Sequence, residues 1–279
     1  MRVGCLIQMT NDPYECIRHY AVDLGFKSGQ LSVWDMSLYT EENAKIVRRA
    51  CKDFDFTVTA LWCGWSGPHE WSYPGMYKTI GLVPPDWRAI RIIDILKGAE
   101  FANAIGVKDI ITHAGYMSDN PYDESRIGVL YSIRHICRTI AKNGQRFLFE
   151  TGEMIPSTLT QLIKDIGESN IGINFDCANM MINCRGNSAD ALRILAPLVC
   201  GVHAKDAVYP SGMDAKGKEV AIGEGGANFP LLVEILASHG YSGDLTIERE
   251  IADIEKREKD ILESKAFLEN IIKNTAICK

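Results

Sequence analysis

Several features that would assign a protein to a special class are missing from this sequence. No uninterrupted apolar run approaches the ~18 residues that a bilayer-crossing helix needs, so no membrane association is expected. The opening Met1-Arg2-Val3-Gly4-Cys5-Leu6-Ile7 enters a strand-like segment without the basic, apolar, small-residue order of a secretory leader. Cysteine is present, but its nine copies are odd in number and never spaced CxxC. Neither a disulfide framework nor a zinc ribbon is predicted, and reduced thiols in a cytoplasm are expected. Positive charge is in deficit: 30 Lys and Arg stand against 36 Asp and Glu, a formal net charge of −6. Nucleic-acid binders draw much of their affinity from a basic face that neutralises phosphate, so the balance disfavours such a partner and favours a small molecule. Low-complexity stretches and Ser/Gly linkers are also lacking, and one domain over residues 1–279 is expected.

What the 279 residues do contain is ordinary globular material, 46% hydrophobic and 24% charged, enough for a large core. Short apolar, β-branched or aromatic segments alternate with longer ones of helical period. Strands are predicted at Val3–Met9, Gln30–Trp34, Thr57–Trp62, Asp109–His113, Arg146–Glu150, Gly172–Asp176, Val199–His203 and Asp244–Glu248. Helices are predicted near Tyr14–Leu24, Glu41–Phe54, Asp86–Ile105, Glu124–Lys142, Ser157–Ile166, Ser188–Leu195, Phe229–Ser238 and Asp253–Lys273. Asp86, Ser188 and Asn228 read as helix caps, and Gly106, Gly144 and Gly240 as helix stops. Eight strands each followed by a helix predict an α/β fold, a single (β/α)8 TIM barrel. A doubly wound open sheet is the alternative, but no GxGxxG follows the first strand and no Walker motif occurs.

Reactive groups of a (β/α)8 barrel sit where strands end and loops begin. Four consecutive predicted strands end in an ionisable residue after an apolar run: Glu150, Asp176, His203 and Glu248. Three carboxylates at one rim repel unless protonated or neutralised by a cation. Three oxygen donors and one imidazole suit a hard or borderline divalent ion, so a metal site is predicted, with Mn2+, Mg2+, Co2+ and Zn2+ all compatible. A single strand-end acid serves as readily as a cap or a loop acceptor; the recurrence at one position in four units carries the prediction.

The segments Asn174-Phe175-Asp176-Cys177-Ala178-Asn179-Met180, Val202-His203-Ala204-Lys205-Asp206-Ala207, Ile222-Gly223-Glu224-Gly225 and Ile247-Glu248-Arg249-Glu250 also carry a resemblance. Together they resemble the sugar phosphate isomerase/epimerase family of the xylose-isomerase-like barrel superfamily, whose relatives include ketose 3-epimerases, inosose dehydratase and apurinic endonucleases. The resemblance implies metal ligation by Glu150, Asp176, His203 and Glu248, with Glu150 and Glu248 also transferring protons through a metal-stabilised enediolate. It implies a sugar or sugar phosphate as partner, and leaves a dimer or tetramer open. Where ketose epimerases carry DxxH, this chain has Asp176-Cys177-Ala178-Asn179. Asparagine does not titrate, so Asn179 is expected to orient substrate, and the missing histidine argues against a nuclease. His113, in Ile111-Thr112-His113-Ala114-Gly115, resembles the HxG segment beside the family's substrate.

Lys205 follows His203 by two and shares its strand face; it can polarise a substrate oxygen, hold a phosphate, or pair with Asp206 or Glu248. Glu250 repeats the parity of Glu248, as support for the site or as a partner of Arg249 or Lys256. Trp62, Trp65, His69 and Trp71 lie within ten residues, where aromatics can wall a sugar site, form an oligomer contact or simply pack; Trp62 is the one expected to touch substrate. Gly223-Glu224-Gly225-Gly226 opens a helix, where free amides can hold a phosphate or merely form a turn. The expected activity is therefore that of a metal-dependent sugar isomerase or epimerase. The alternatives are a keto-inositol dehydratase-like lyase, which begins with the same proton abstraction, and, disfavoured, an endonuclease-like phosphodiesterase.

Overall fold

The computed structural model describes residues 1–212 and 216–275. Eight parallel strands close into a barrel: β1 (Arg2–Gln8), β2 (Ser28–Val33), β3 (Thr57–Cys63), β4 (Asp109–Thr112), β5 (Arg146–Glu150), β6 (Ile171–Asp176), β7 (Val199–Ala204) and β10 (Asp244–Ile247). Their order around the ring is β1-β10-β7-β6-β5-β4-β3-β2, and β1 pairs with both β2 and β10. Every predicted strand is present, its ends within two residues of the expected ones. Between β7 and β10 the chain adds a small antiparallel hairpin, β8 (Asp206–Val208) with β9 (Lys218–Val220). The sequence reading did not predict it: three-residue strands offer too little alternation to register.

The outer layer consists of α1 (Pro13–Arg18), α2 (Glu41–Asp53), α3 (Met76–Thr79), α4 (Pro85–Ala104), α5 (Glu124–Ala141), α6 (Pro156–Ile166), α7 (Asn179–Ile182), α8 (Ser188–Leu195), α9 (Phe229–Ser238) and α10 (Ile254–Asn274). Helices cover the outer face of the barrel, so strands such as β5, with Phe147, Leu148 and Phe149 all buried, are apolar on both faces. Gly106, Gly144 and Gly240 stop helices with φ of 83°, 64° and 77°, in the left-handed region where a Cβ is disfavoured.

The cap predictions need correction. Pro84, not Asp86, caps α4, and Pro85 supplies the fixed φ of its first turn; Asp86 lies inside that turn. Asn187 caps α8, accepting from the amides of Ala189 and Asp190, while the Ser188 hydroxyl donates to the Cys177 carbonyl. Asn228 does precede α9, but in a left-handed conformation with no side-chain cap bond. The predicted Tyr14–Leu24 helix is split: α1 widens at His19 into a π turn in which the Leu24 amide bonds the His19 carbonyl.

Candidate metal centre

Glu150 is the last residue of β5 and Asp176 the last of β6; His203 lies one residue from the end of β7, and Glu248 directly follows β10. Parallel pairing aligns Glu150 with Asn174, Asp176 with His203 and His203 with Thr246, so Glu150, Asp176, His203 and Glu248 share one parity and project to the same face. One donor atom from each of Glu150, Asp176, His203 and Glu248 lies within 4.8 Å of all the others. His203 Nδ1 is 3.0 Å from Glu150 Oε1 and 3.1 Å from Glu248 Oε2. Asp176 Oδ1 accepts from the amides of Ala178 at 2.7 Å and Asn179 at 2.6 Å, which orients the carboxylate. Its Oδ2 is buried with no hydrogen-bond partner, and Glu248 Oε2, though 3.1 Å from His203 Nδ1, is buried without a well-aligned hydrogen bond. Buried oxygens left over in a ring of three carboxylates and an imidazole fit a divalent cation.

The electrostatics show how the cluster stands without one. Burial, with Glu248 and Glu150 adding to it against Lys205, pushes the Asp176 carboxyl well above the usual carboxylate range. Burial also opposes ionisation of Glu150 and Glu248, but His113 and His203 for the first, and Lys205 and His203 for the second, outweigh it and hold both below that range. His203 is buried too, yet Glu150 and Glu248 raise its pKa well above that of a free imidazole. The two carboxylates thus favour positive charge on the ring between them, at the place where a cation would neutralise them.

A cavity of about 780 Å³ opens above this floor, lined by Trp62, His113, Glu150, Asn179, Lys205 and Glu248 among others. The Trp62 indole N–H donates to Glu150 Oε2. His113 Nε2 lies 3.7 Å from the same oxygen, and its Nδ1 contacts Glu153. Against burial, Glu153 and then Glu150 push the His113 imidazole up to about 9. Asn179 starts α7; its amide serves Asp176, and among the described residues its side chain makes no hydrogen bond, leaving it turned to the cavity. Lys205 pairs with Glu248 at 3.4 Å and with Glu250, not with Asp206. Arg249, in turn, is engaged by Glu219 and Asp260.

Asp206 has a different task. Its carboxylate accepts from the amides of Ala207, Gly223, Gly225 and Ala227 at 2.9 to 3.0 Å. Those amides are therefore taken, and the glycine segment offers a turn rather than a phosphate cradle. Gly225 is required there: a Cβ would stand 2.2 Å from Asp206 Oδ1.

The aromatic cluster divides. Trp62, His69 and Trp71 line the cavity, whereas Trp65 is buried behind them. Trp34, just past β2, stacks 4.9 Å from Trp62 and also lines the cavity. The loop carrying these residues is held from beneath by Arg91 of α4, which is fully buried and donates to the carbonyls of Ser66, Pro68, Thr79 and Gly81. Sequence reasoning missed Trp34, Glu153 and Arg91. Only Trp34 gave a signal, as the last residue of a predicted strand.

Barrel and site together define a (β/α)8 protein with a carboxylate–imidazole centre at the carboxyl ends of its strands. Residues 19–271 match the family described as xylose isomerase-like TIM barrel, and the chain belongs to that family. It is 34% identical over 124 residues, 43% of this chain, to an uncharacterised protein of Methanocaldococcus jannaschii; the match spans 39% of that relative's length. A xylose isomerase domain protein from Planctomyces limnophilus superposes with a TM-score of 0.90 over 99% of both chains, at 28% identity. The fold is shared with 3-keto-D-glucoside 4-epimerase of Escherichia coli, at a TM-score of 0.72 and 21% identity over 97% of this chain and 99% of that one. No helix among the described residues is long and apolar enough to cross a membrane.

Proposed function

We propose that this protein is a divalent-metal-dependent isomerase or epimerase of a keto-sugar or sugar phosphate, with Glu150 and Glu248 as its acid–base pair. The observation that carries the reading is that these two glutamates, from strands three steps apart around the ring, meet His203 at 3.0 and 3.1 Å on the floor of an aromatic-walled cavity. Glu150, Asp176, His203 and Glu248 would hold the ion, Mn2+ being the first candidate and Mg2+, Co2+ or Zn2+ the alternatives. A divalent ion supplies positive charge to the oxyanion that develops when a proton leaves the carbon beside a carbonyl. Glu150 takes that proton from one face of the sugar and Glu248 returns one to the other, or the reverse, according to substrate configuration. The Trp62 indole and His113 hold the Glu150 carboxylate from one side, while Lys205 holds Glu248 from the other. His113, Asn179 and Lys205 reach the sugar's oxygens, and Trp62 with Trp71 and His69 shields the reacting carbon from bulk water.

A deuterium wash-in screen over free ketoses, pentulose phosphates and inososes, with Mn2+ in D2O, tests this. Wild-type protein incorporates deuterium beside the carbonyl of its substrate and yields an epimer or isomer. Glu150→Gln and Glu248→Gln each slow exchange by about 10²–10⁴-fold, the usual contribution of a positioned acid or base. A product lighter by one water would make the enzyme a lyase, and no exchange into any ketose would overturn the reading.

A further inference from the structure

Beneath the four convergent residues lies a chain of buried amides that the chemistry above does not use. His203 turns Nδ1 toward Glu150 and Glu248, and its other nitrogen, Nε2, lies 2.7 Å from Gln30 Oε1. Gln30 Nε2 in turn donates to Asn174 Oδ1 at 3.2 Å. Gln30 comes from β2, Asn174 from β6 and His203 from β7, so three strands meet across the barrel interior. Exposure of the three side chains is 3%, 0% and 0%.

A carboxamide presents a carbonyl oxygen on one side and an NH2 on the other. With its nitrogen aimed at the Asn174 oxygen, Gln30 has only its carbonyl to offer the imidazole. A carbonyl accepts and never donates, so the proton of this contact belongs to His203 Nε2. In the neutral ring that leaves Nδ1 bare, with its lone pair directed at the carboxylate cluster. The backbone makes room for this arrangement. Gly201 stands opposite Asn174 in the β6–β7 register, and a Cβ there would come within 2.4 Å of Asn174 Oδ1. Packing alone gives no reason for amides here: Asn174 Nδ2 is buried without a partner, a penalty that an apolar barrel layer avoids.

We propose that Gln30, oriented by Asn174, is a positioning residue that fixes the ring and tautomer of His203 so that Nδ1 stays available to a metal ion. The assignment rests on the metal reading above and extends it to two residues outside the ligand set. Gln30→Met keeps the length and removes the acceptor, whereas Gln30→Glu keeps an acceptor facing the imidazole. Mn2+ is titrated calorimetrically into chelator-stripped protein. Gln30→Met is expected to weaken Mn2+ binding by about 10–100-fold, the usual loss when an outer partner of a metal-bound histidine is removed, and Gln30→Glu to restore it. In Zn2+-loaded wild-type protein carrying 15N-histidine, His203 is expected to show a slowly exchanging proton on Nε2 and none on Nδ1. A proton on Nδ1 with Nε2 bare overturns the proposal, whether or not Gln30→Met folds. Equal Mn2+ affinity in wild type and a folded Gln30→Met overturns the positioning role and leaves the metal reading standing. No Mn2+ binding by the wild type sinks the metal reading, and this assignment with it.

Discussion

Asp176→Asn should change stability in opposite directions depending on whether a divalent ion is supplied. Without the ion, Asp176 shares a buried space with Glu150 and Glu248, one donor atom of each lying within 4.8 Å of the others. At that separation and an effective dielectric near 20, each pair of unit negative charges repels by about 3.5 kcal/mol or more. His203 and Lys205 offset part of this, and protonation of Asp176 relieves part of the rest. Asparagine keeps an oxygen for the amides of Ala178 and Asn179 but forfeits the charge-assisted strength of those bonds, about 1 kcal/mol. The balance is a gain of about 1–3 kcal/mol for the chelated protein, which for a chain of this size raises Tm by about 3–8 °C. With Mn2+ at about 100 times its Kd, the wild type gains about 2.7 kcal/mol by mass action, and the variant, one carboxylate short, gains little. Differential scanning calorimetry of both proteins in EDTA and in Mn2+ gives the four numbers needed. The reasoning fails if Asp176→Asn melts below the wild type in EDTA, or if Mn2+ stabilises both proteins equally.

Asp206→Ala strands four amides, of which those of Ala207 and Ala227 are buried. At about 1–3 kcal/mol per buried unsatisfied donor, urea unfolding should show a loss of about 2–5 kcal/mol, and a loss below 1 kcal/mol would show that the glycine turn holds itself. Burial pushes the thiols of Cys63 and Cys137 up to about 12, so at pH 8 they carry thiolate on the order of one part in 10⁴, and the thiolate is the form that alkylates. Iodoacetamide on folded protein at pH 8 should therefore label exposed Cys184 while Cys63 and Cys137 stay unmodified, and peptide mass spectrometry reads the order directly.

The barrel was legible because most strands are largely apolar runs bounded by turn chemistry, and because its parallel strands are buried on both faces. The ends of four such runs also carried Glu150, Asp176, His203 and Glu248, whose shared parity lets one donor atom of each come within 4.8 Å of the others. Residues whose meaning lies in a distant contact were not legible. Gln30 reads as one polar residue in a strand until β2 is closed against the interior, because its partners lie 144 and 173 residues away. Asp206 illustrates the reverse error. Beside Lys205 it suggests a local pair, yet amides 17 to 21 residues downstream claim its carboxylate, and Lys205 pairs instead with Glu248, the other expected partner, and with Glu250. The cap of α8 was off by one because Asn187 and Ser188 are both competent, and that of α4 by two because Pro85 opens the helix and leaves Pro84 at the cap with no side-chain bond.

Arg91 ties the loop to α4 by hydrogen bonds that all end on main-chain oxygens, with the Trp65 ring 5.4 Å from its guanidinium. Apart from the Trp65 ring, those bonds do not depend on which side chains the loop displays. Substitutions at His69 or Trp71 can therefore reshape the mouth of the cavity without loosening its mounting. On this scaffold, the wall of the cavity is adjustable separately from the carboxylate–imidazole cluster beneath it.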